Sequence, residues 1–306
     1  MLKYALKRIA LMLPVLLGIT LVAFLLLHAA PGQPIDLLAG DRTPPETRAL
    51  LVKKWGLDRP LPVQYLQFLT NLVHGDLGRS ILQNRPVTLL LKTALPITLE
   101  VGLFGIALSA VAGIAIGVVS AVRRDTLVDQ AALVGALLGI SMPNFWLALI
   151  LMYLFSVRWQ LLPSSGYGGI RHVILPGLAL AAGGVALIAR LTRSSVLEVL
   201  SQDYIRTARA KGLPERLVIY RHALKNALMP VVTVLGLRLG YMIAGAVVLE
   251  VVFSRPGMGR LMVNAILSRD YPVVQGTLVV LALSVMLANL VADLLYTAID
   301  PRIHYQ

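Results

Sequence analysis

Six long apolar stretches constrain this chain more than any other feature of its sequence. The first holds 22 residues that are apolar except for Thr20 and His28, about 33 Å when folded as an α-helix. Hydrophobic residues make up 57% of the chain and charged residues only 14%, which excludes an ordinary soluble domain. We therefore expect an all-α membrane protein with six transmembrane helices. The predicted spans are residues 9–30, 94–122, 128–157, 174–188, 229–252 and 273–298.

The first stretch could also belong to a secretory signal peptide, because Lys3, Lys7 and Arg8 precede it. Its apolar run is too long for a typical signal peptide, however, and His28 is a poor residue at the small position of a cleavage site. We therefore interpret residues 1–30 as an N-terminal anchor helix.

Lysine and arginine are distributed unevenly between the two sides of this topology. Eight lie from Arg190 to Lys225, between the fourth and fifth spans. The same side receives Lys3, Lys7, Arg8, Arg123, Arg124 and Arg302, whereas the short connections opposite hold Arg158, Arg171, Arg255, Arg260 and Arg269. Because cytoplasmic loops are enriched in basic residues, both termini are predicted to be cytoplasmic. The net charge of +13 then indicates attraction to anionic lipid rather than to nucleic acid.

The cationic segment 203–230 is too polar for hydrocarbon and has the local pattern of two short helices. Asp203 is the predicted N-cap of the first, and Gly212 is placed to end it in the left-handed conformation. Pro214 would open the second helix, and Pro230 would interrupt the chain again. Such a segment, held between membrane helices, is where a force from outside the bilayer could be applied.

Glycine pairs at a spacing of four residues indicate close helix contacts in the second, third and fifth spans. We expect these three spans to form a compact core. The sequence Ser-Met-Pro-Asn at residues 141–144 should break the third span, because proline removes a backbone donor and bends a helix. The pairs are Gly113 with Gly117, Gly135 with Gly139, and Gly236 with Gly240.

Residues 206–212, Arg-Thr-Ala-Arg-Ala-Lys-Gly, resemble the EAA-type motif of ABC importer permeases, in the variant of the dipeptide, oligopeptide and nickel importer group. Arg206 stands where the general motif has Glu, and Thr207 where it has the first Ala. Further segments resemble the same group in the same order. They are Gly-Asp-Leu-Gly at 75–78, Ser-Met-Pro-Asn-Phe-Trp at 141–146, Pro-Gly-Met-Gly at 256–259, Arg-Asp-Tyr-Pro at 269–272 and Asp-Pro-Arg at 300–302.

This resemblance implies a type I ABC importer permease fold, similar to the methionine permease, in the bacterial inner membrane. The short helix around residue 207 would then be a coupling helix that contacts an ATPase. Ala208, Ala210 and Gly212 would keep that helix slim enough to enter a cleft. The coupling residues it implies are Tyr204, Arg206, Thr207, Ala208, Arg209, Ala210, Lys211 and Gly212.

The implied partners are a second homologous permease, two ATPase subunits that hold ATP and magnesium, an extracytoplasmic substrate-binding protein, and membrane lipid. The chain would divide into an anchor helix (1–30), an extracytoplasmic cap (31–93), a permease core (94–298) with its cytoplasmic coupling segment (194–228), and a cytoplasmic tail (299–306). Amphipathic pieces at 45–55 and 62–73 belong to the cap. The cap could contact the binding protein or simply cover helix ends.

No catalytic or metal-ligating constellation stands out in the sequence. The chain has no cysteine, its five histidines are scattered, and neither a GxxxxGK[ST] nor an HExxH pattern occurs. We expect no catalytic residue, no bound metal and no cofactor in this chain. If ATP drives its function, the ATPase must be another polypeptide.

Four polar residues in or beside the spans, together with Met258 in the Pro-Gly-Met-Gly turn, are the candidates for a substrate path or gate. They are Asn144, Arg238, Met258, Asn289 and Asp293. Asn289 and Asp293 lie four residues apart and share a helix face, so they could instead bind a neighbouring helix.

The cargo stays open at this point, with dipeptides or oligopeptides preferred. One alternative is a nickel or metal-chelate importer permease. An ion-gradient-driven secondary transporter is an alternative from another class, although the two halves of the chain show no duplication.

Overall fold

The computed structural model describes residues 2–29, 34–35 and 43–299, with side chains of 2–7, 9 and 294–299 left out. Predictions for residues 31–33 and 36–42 of the cap, and for Asp-Pro-Arg at 300–302 and the tail, lie outside that part. The described residues are mainly helical and contain no β-strand beyond one isolated bridge between Arg79 and Pro86. The helices are α1 (Leu2–Ala29), α2 (Pro45–Lys54), α3 (Leu61–Val73), α4 (Val87–Val122), α5 (Leu127–Ser141), α6 (Asn144–Met152), α7 (Arg171–Leu200), α8 (Asp203–Ala210), α9 (Glu215–Leu217), α10 (Leu224–Ala227), α11 (Met229–Val252), α12 (Met258–Leu267) and α13 (Tyr271–Ile299).

The predicted all-α membrane fold is confirmed. Within the described ranges, five helices are long and apolar enough to cross a bilayer, namely α1, α4, α7, α11 and α13. Helix α5 together with α6 and the π-helical turn Tyr153–Arg158 makes a sixth span if the two bent halves are counted as one.

The predicted break of the third span is a bend of 105° between α5 and the segment that begins at Asn144. Met142 and Pro143 both take extended backbone conformations, with ψ of 126° and 135°. Helical hydrogen bonding resumes at once, because the amide of Trp146 donates to the carbonyl of Pro143 at 3.0 Å. Proline therefore ends one helix and serves as the first acceptor of the next.

Helix α7 is the centre of the bundle, which corrects the expectation of a core built from the second, third and fifth spans. Added Cβ atoms at Gly113 and Gly117 of α4 would lie 2.7 Å from Ile188 and 2.5 Å from the carbonyl oxygen of Ala189, both in α7. Gly139 of α5 likewise faces α7, 3.2 Å from a backbone carbonyl. The glycines do allow close packing, but the partner of both spans is the fourth one.

Helix α7 also extends well beyond the predicted apolar run 174–188, to Leu200. Residues after 188 are held in the helix by partners in neighbouring segments. Arg193 binds Asp129 of α5, and Val196 packs into a buried cluster with Val118 of α4 and Ile219. The end of hydrophobic sequence is therefore not the end of the helix.

The bundle has two ends, named here by their residues. At the Asp203 end, α4 and α7 finish and α11 begins; at the Asp270 end, α4, α7 and α13 begin and α11 finishes. The central core between them joins α4, α6, α7 and α11. Its buried members are Val101, Ala148, Leu175, Ala179, Leu180, Met242, Ala246, Leu249 and Phe253.

The two predicted amphipathic pieces of the cap are the helices α2 and α3. Helix α3 lies against α1, since the hydroxyl of Tyr65 donates to the carbonyl of Leu17 at 3.2 Å and lies 3.1 Å from Oγ1 of Thr20. The ring of His28 contacts Gln64 of α3 at 3.2 Å and lies at a tilted angle beside the ring of Tyr271 in α13, with centroids 4.9 Å apart. This region therefore connects α1 to the rest of the bundle.

Candidate functional site

Helix α8, the predicted coupling helix, is anchored by two buried apolar side chains. Ile205 is fully buried and Ala208 is 7% exposed, and both pack against Val218 and Ala223 in the π-helical turn that follows α9. Side chains three apart lie on one helix face, so α8 presents its opposite face outward. The anchored helix stands as a rigid projection at the Asp203 end.

The structure corrects the role expected of Ala208. This residue was expected to keep the outer profile of the helix slim, but it points inward, where its small size lets α8 approach the turn Val218–Ala223. The other predicted coupling residues lie on the outer side and are exposed: Tyr204, Arg206, Thr207, Arg209, Ala210, Lys211 and Gly212.

The local signals around α8 were predicted only in part. Gly212 does take the left-handed conformation, with φ of +74°, and Pro214 directly precedes α9. Asp203 is not the N-cap: Gln202 holds that position, and the carboxylate of Asp203 binds Arg206 at 3.2 Å. The predicted interruption lies just before Pro230: α10 ends at Ala227 and α11 begins at Met229, and Pro230 lies in the first turn of α11, where an amide hydrogen is not needed.

Two polar contacts fix the projection to the segments that follow it. Arg209 donates two hydrogen bonds to the carboxylate of Glu215, at 2.6 and 3.1 Å, and this guanidinium lowers the pKa of Glu215. The amide nitrogen of Asn226 donates to the hydroxyl of Tyr204 at 2.8 Å. Tyr204 and Arg209 therefore hold the loop together, whereas Arg206, with 74% of its side chain exposed, projects outward.

An ion pair braces the spans close to this projection. Arg193 of α7 donates to both carboxylate oxygens of Asp129 in α5, each at 2.7 Å, and Ser120 of α4 donates to the same carboxylate. Asp129 is 2% exposed. Sequence reasoning missed this brace; the only signal for it was a carboxylate two residues into an otherwise apolar stretch.

At the Asp270 end, segments that are far apart in the sequence meet. Asp270 is buried and accepts hydrogen bonds from the hydroxyl of Ser80 at 2.5 Å and the amide of Ile81 at 3.0 Å. An added Cβ at Gly78 would contact Pro272 at 3.6 Å. The segments 75–78 and 269–272, singled out separately in the sequence, therefore form one structural unit.

A buried carboxylate organises the turn after α11. Glu250 is fully buried and accepts hydrogen bonds from Oγ1 of Thr98 at 2.5 Å and from the amide of Gly259 at 2.7 Å. The amide of Met258 donates to the same Thr98 oxygen at 2.9 Å. Gly257 packs so closely on Glu250 that a side chain there would overlap the carboxylate.

A second buried charge lies near this turn. Arg255 is fully buried, donates to Glu100 at 3.0 Å and to the carbonyl of His172 at 2.9 Å, and lies over the ring of Tyr167. Sequence reasoning counted Arg255 only as a loop charge. Arg255 is buried because the segment after the C-terminal end of α11 packs against α4 and α7. This packing depends on tertiary structure, so no local sequence pattern could have predicted it.

The structure does not bring the candidate path residues together. Asn144 begins α6, and Arg238 lies midway along α11. Met258 is fully buried at the Asp270 end, where its amide is hydrogen-bonded to Thr98. Asn289 is exposed on α13 beside Gly240, and Asp293 binds Arg8 of α1 at 3.1 Å. For Asp293 the structure favours the alternative interpretation, contact with a neighbouring helix.

Comparison with known proteins decides the family. Residues 113–305 match the family described as the binding-protein-dependent transport system inner membrane component, and residues 1–102 match the N-terminal domain of such membrane components. The chain belongs to this family. It is therefore a multi-pass component of an inner-membrane transport system, and the resemblance first carried by residues 206–212 is confirmed.

Relatives cover the full length of this permease. It is 46% identical to the peptide transport system permease protein of Brucella suis biovar 1, over 98% of each chain. It is 41% identical to the dipeptide transport system permease protein DppB of Escherichia coli K12, over all of both chains. The protein of the same name from Alkalihalophilus pseudofirmus is also 41% identical over all of both chains. The names of these relatives do not favour the nickel alternative.

Proposed function

We propose that this chain is a permease subunit of an ATP-driven ABC importer of dipeptides or oligopeptides. It would form half of the transmembrane path together with a second homologous permease. Two ATPase subunits, which bind ATP and magnesium, would lie at the Asp203 end, and an extracytoplasmic binding protein would deliver the cargo at the Asp270 end. The chain itself performs no covalent chemistry in this proposal.

The observation that carries the proposal is the construction of α8. Its inner face is fixed by Ile205 and Ala208, while Arg206, Thr207 and Lys211 face outward with a positive character. A surface that must transmit force has to be exposed to its partner and rigidly attached to its own protein. Helix α8 has both properties.

Two connections supply a mechanical route from α8 into the membrane. Its anchor residues pack on the turn Val218–Ala223, which continues through α10 into α11. Behind them, the ion pair of Asp129 with Arg193 ties the beginning of α5 to α7. Movement of α8 would therefore displace α7, α11 and the first half of the broken span together.

We further propose the orientation that the basic residues predict. The Asp203 end would be cytoplasmic, along with both termini, and the Asp270 end extracytoplasmic. ATP binding would close the ATPases and turn the path outward, and hydrolysis would return it inward. Such alternating access is a shift in population between two states of the bundle.

Peptide cargo is supported by the names of the full-length relatives, two of which are dipeptide permeases. An uptake assay tests the whole proposal. The chain would be produced with its second permease, ATPases and binding protein, placed in proteoliposomes, and supplied with a radiolabelled dipeptide or with ⁶³Ni²⁺.

We expect dipeptide uptake that requires both internal ATP and the binding protein. Uptake of nickel in place of the peptide would support the metal importer instead. Peptide uptake driven by an ion gradient without ATP would support a secondary transporter. Either result would contradict the proposed function.

A further inference from the structure

Arg238 is a cation in the middle of a membrane span. It is the tenth residue of α11, which runs from Met229 to Val252, so about 13 Å of helix separates it from the Asp203 end. Its guanidinium is half-buried and reaches across to α7, where Nη1 donates to the carbonyl of Gly183 at 3.1 Å.

Glycines in α7 make room for this guanidinium. An added Cβ at Gly184 would lie 3.1 Å from Nη1 of Arg238 and would overlap the hydroxyl of Ser109. The space beside α7 is therefore filled by the arginine rather than by a side chain of α7 itself. This arrangement holds the guanidinium at one height in the bundle.

Most of the hydrogen-bonding capacity of Arg238 is unused by the residues that the structure describes. A guanidinium has five N–H donors, and the hydrogen bond to Gly183 occupies one. Among the residues that the structure describes, no carboxylate lies within ion-pair distance of Arg238. Two other arginines between the helices, Arg193 and Arg255, each have a carboxylate partner, whereas the half-buried Arg260 at the Asp270 end donates to the carbonyl of Ser254.

A charged side chain in the middle of a span costs about 2.5–3.5 kcal/mol on insertion scales, and such residues face protein or water. The surface beside Arg238 is mostly apolar. Leu237 and Tyr241, on the neighbouring positions of α11, are 59% and 64% exposed, and the ring of Tyr241 lies 5.8 Å from the guanidinium. The pattern is one fixed cation on an apolar and aromatic surface.

We infer that Arg238 binds the C-terminal carboxylate of the peptide during transit. This inference rests on the proposed function. A guanidinium fork matches a carboxylate in two parallel hydrogen bonds, and the apolar surface beside it tolerates varied side chains of the cargo. Because the site is only half-buried, the contact stays weak enough for release. The same charge repels a free divalent metal ion.

The test compares a dipeptide with its C-terminally amidated form in the complete transporter. Initial uptake rates are measured in proteoliposomes for the wild type, Arg238→Gln and Arg238→Lys, always with the same binding protein. Any preference of the binding protein is then common to all variants, so a change in the ratio of the two rates comes from the permease. Arg190→Gln, which removes an exposed arginine of α7, is the matched control.

We expect Arg238→Gln to lower the preference for the free carboxylate about tenfold, the loss typical of one hydrogen-bonded charge. Arg238→Lys should keep part of the preference, and Arg190→Gln all of it. Basal ATP hydrolysis and co-purification of the partner subunits are measured for every variant, so that a loss of assembly is distinguished from a loss of carboxylate recognition. Arg190→Gln, at an exposed position, should retain both.

An unchanged preference in Arg238→Gln, or equal losses for both peptides, would overturn this inference while leaving the proposed function intact. Wild-type complex that takes up neither peptide would overturn the proposed function and this inference together.

Discussion

Replacing Glu250 by alanine should detach the turn that follows α11. The carboxylate is fully buried and accepts two short hydrogen bonds, from Thr98 at 2.5 Å and from the amide of Gly259 at 2.7 Å. Removing the acceptor leaves the buried donors of Thr98 and Gly259 without a partner, at a cost of about 1–3 kcal/mol for each. We therefore expect Glu250→Ala to lower the free energy of unfolding by about 3–5 kcal/mol.

The measurement is unfolding of the purified chain in mixed micelles, followed by tryptophan fluorescence across a denaturant series. Hydrogen exchange shows where in the chain stability is lost: the amide of Gly259 should lose protection before the amides in the centre of α11. Glu250→Gln, which keeps the volume and one acceptor, should lose about half as much stability. Glu46→Ala is the control, because Glu46 is exposed on α2 and should change stability by less than about 0.5 kcal/mol.

Unfolding of Glu250→Ala at the same denaturant concentration as the control, with Gly259 equally protected, would refute this role of the carboxylate. The carboxylate would then contribute no more than an exposed one. Its hydrogen bonds would be a consequence of the turn and not its cause.

Three further predictions concern other parts of the chain. Gly212→Val places a β-branched residue at φ of +74°, which should distort the end of α8. Uptake should fall while ATP hydrolysis and membrane insertion persist. Normal uptake for each ATP consumed would contradict the coupling role of α8. Gly113→Ala adds a Cβ 2.7 Å from a side chain of α7 and should lower the free energy of unfolding by about 1–3 kcal/mol in the same assay. Gly135→Ala, whose added Cβ meets nothing within 4 Å, should leave it unchanged. Equal losses for the two variants would contradict close packing of α4 on α7 at Gly113. The lowered pKa of Glu215 means that its pair with Arg209 stabilises the loop fully above the ordinary carboxyl pKa of 4.5, and that this stabilisation is lost as the pH falls through the lowered pKa of the folded protein. Amide exchange of the loop, corrected for intrinsic rates, should therefore increase progressively below pH 4.5, by an amount worth under about 1 kcal/mol, and no increase would contradict the pairing.

Periodicity and composition predicted the features of this fold that local sequence determines. The apolar runs mark the helices, the Ser-Met-Pro-Asn sequence marks the break, and Gly212 marks the end of α8. Each is decided by residues within a few positions. The family resemblance was equally accessible, because its motifs are local in sequence.

Features that depend on partners across the bundle could not be predicted in this way. Arg193 was assigned to a loop because it follows the apolar run, yet Asp129 keeps it within a long helix. Ala208 was expected to face outward, because a small side chain would let α8 enter a cleft of a partner. A small side chain equally lets α8 pack closely on its own protein, and this is where Ala208 lies. Arg255 was counted as a charge in a short connection, but the packing of α4 and α7 encloses it.

The sharp turn at Pro143 has a consequence for the surrounding lipid. Helix α5 holds 15 residues and rises about 22 Å, roughly 8 Å less than the hydrocarbon thickness of a typical bilayer, and α6 departs from it at 105°. The apolar surface of α5 is therefore shorter than the acyl chains of the lipids that contact this side of the protein. Membranes relieve such a mismatch by local thinning, and proteins relieve it by placing another subunit there, so this flank is where the thickness of the host membrane acts most directly on the molecule.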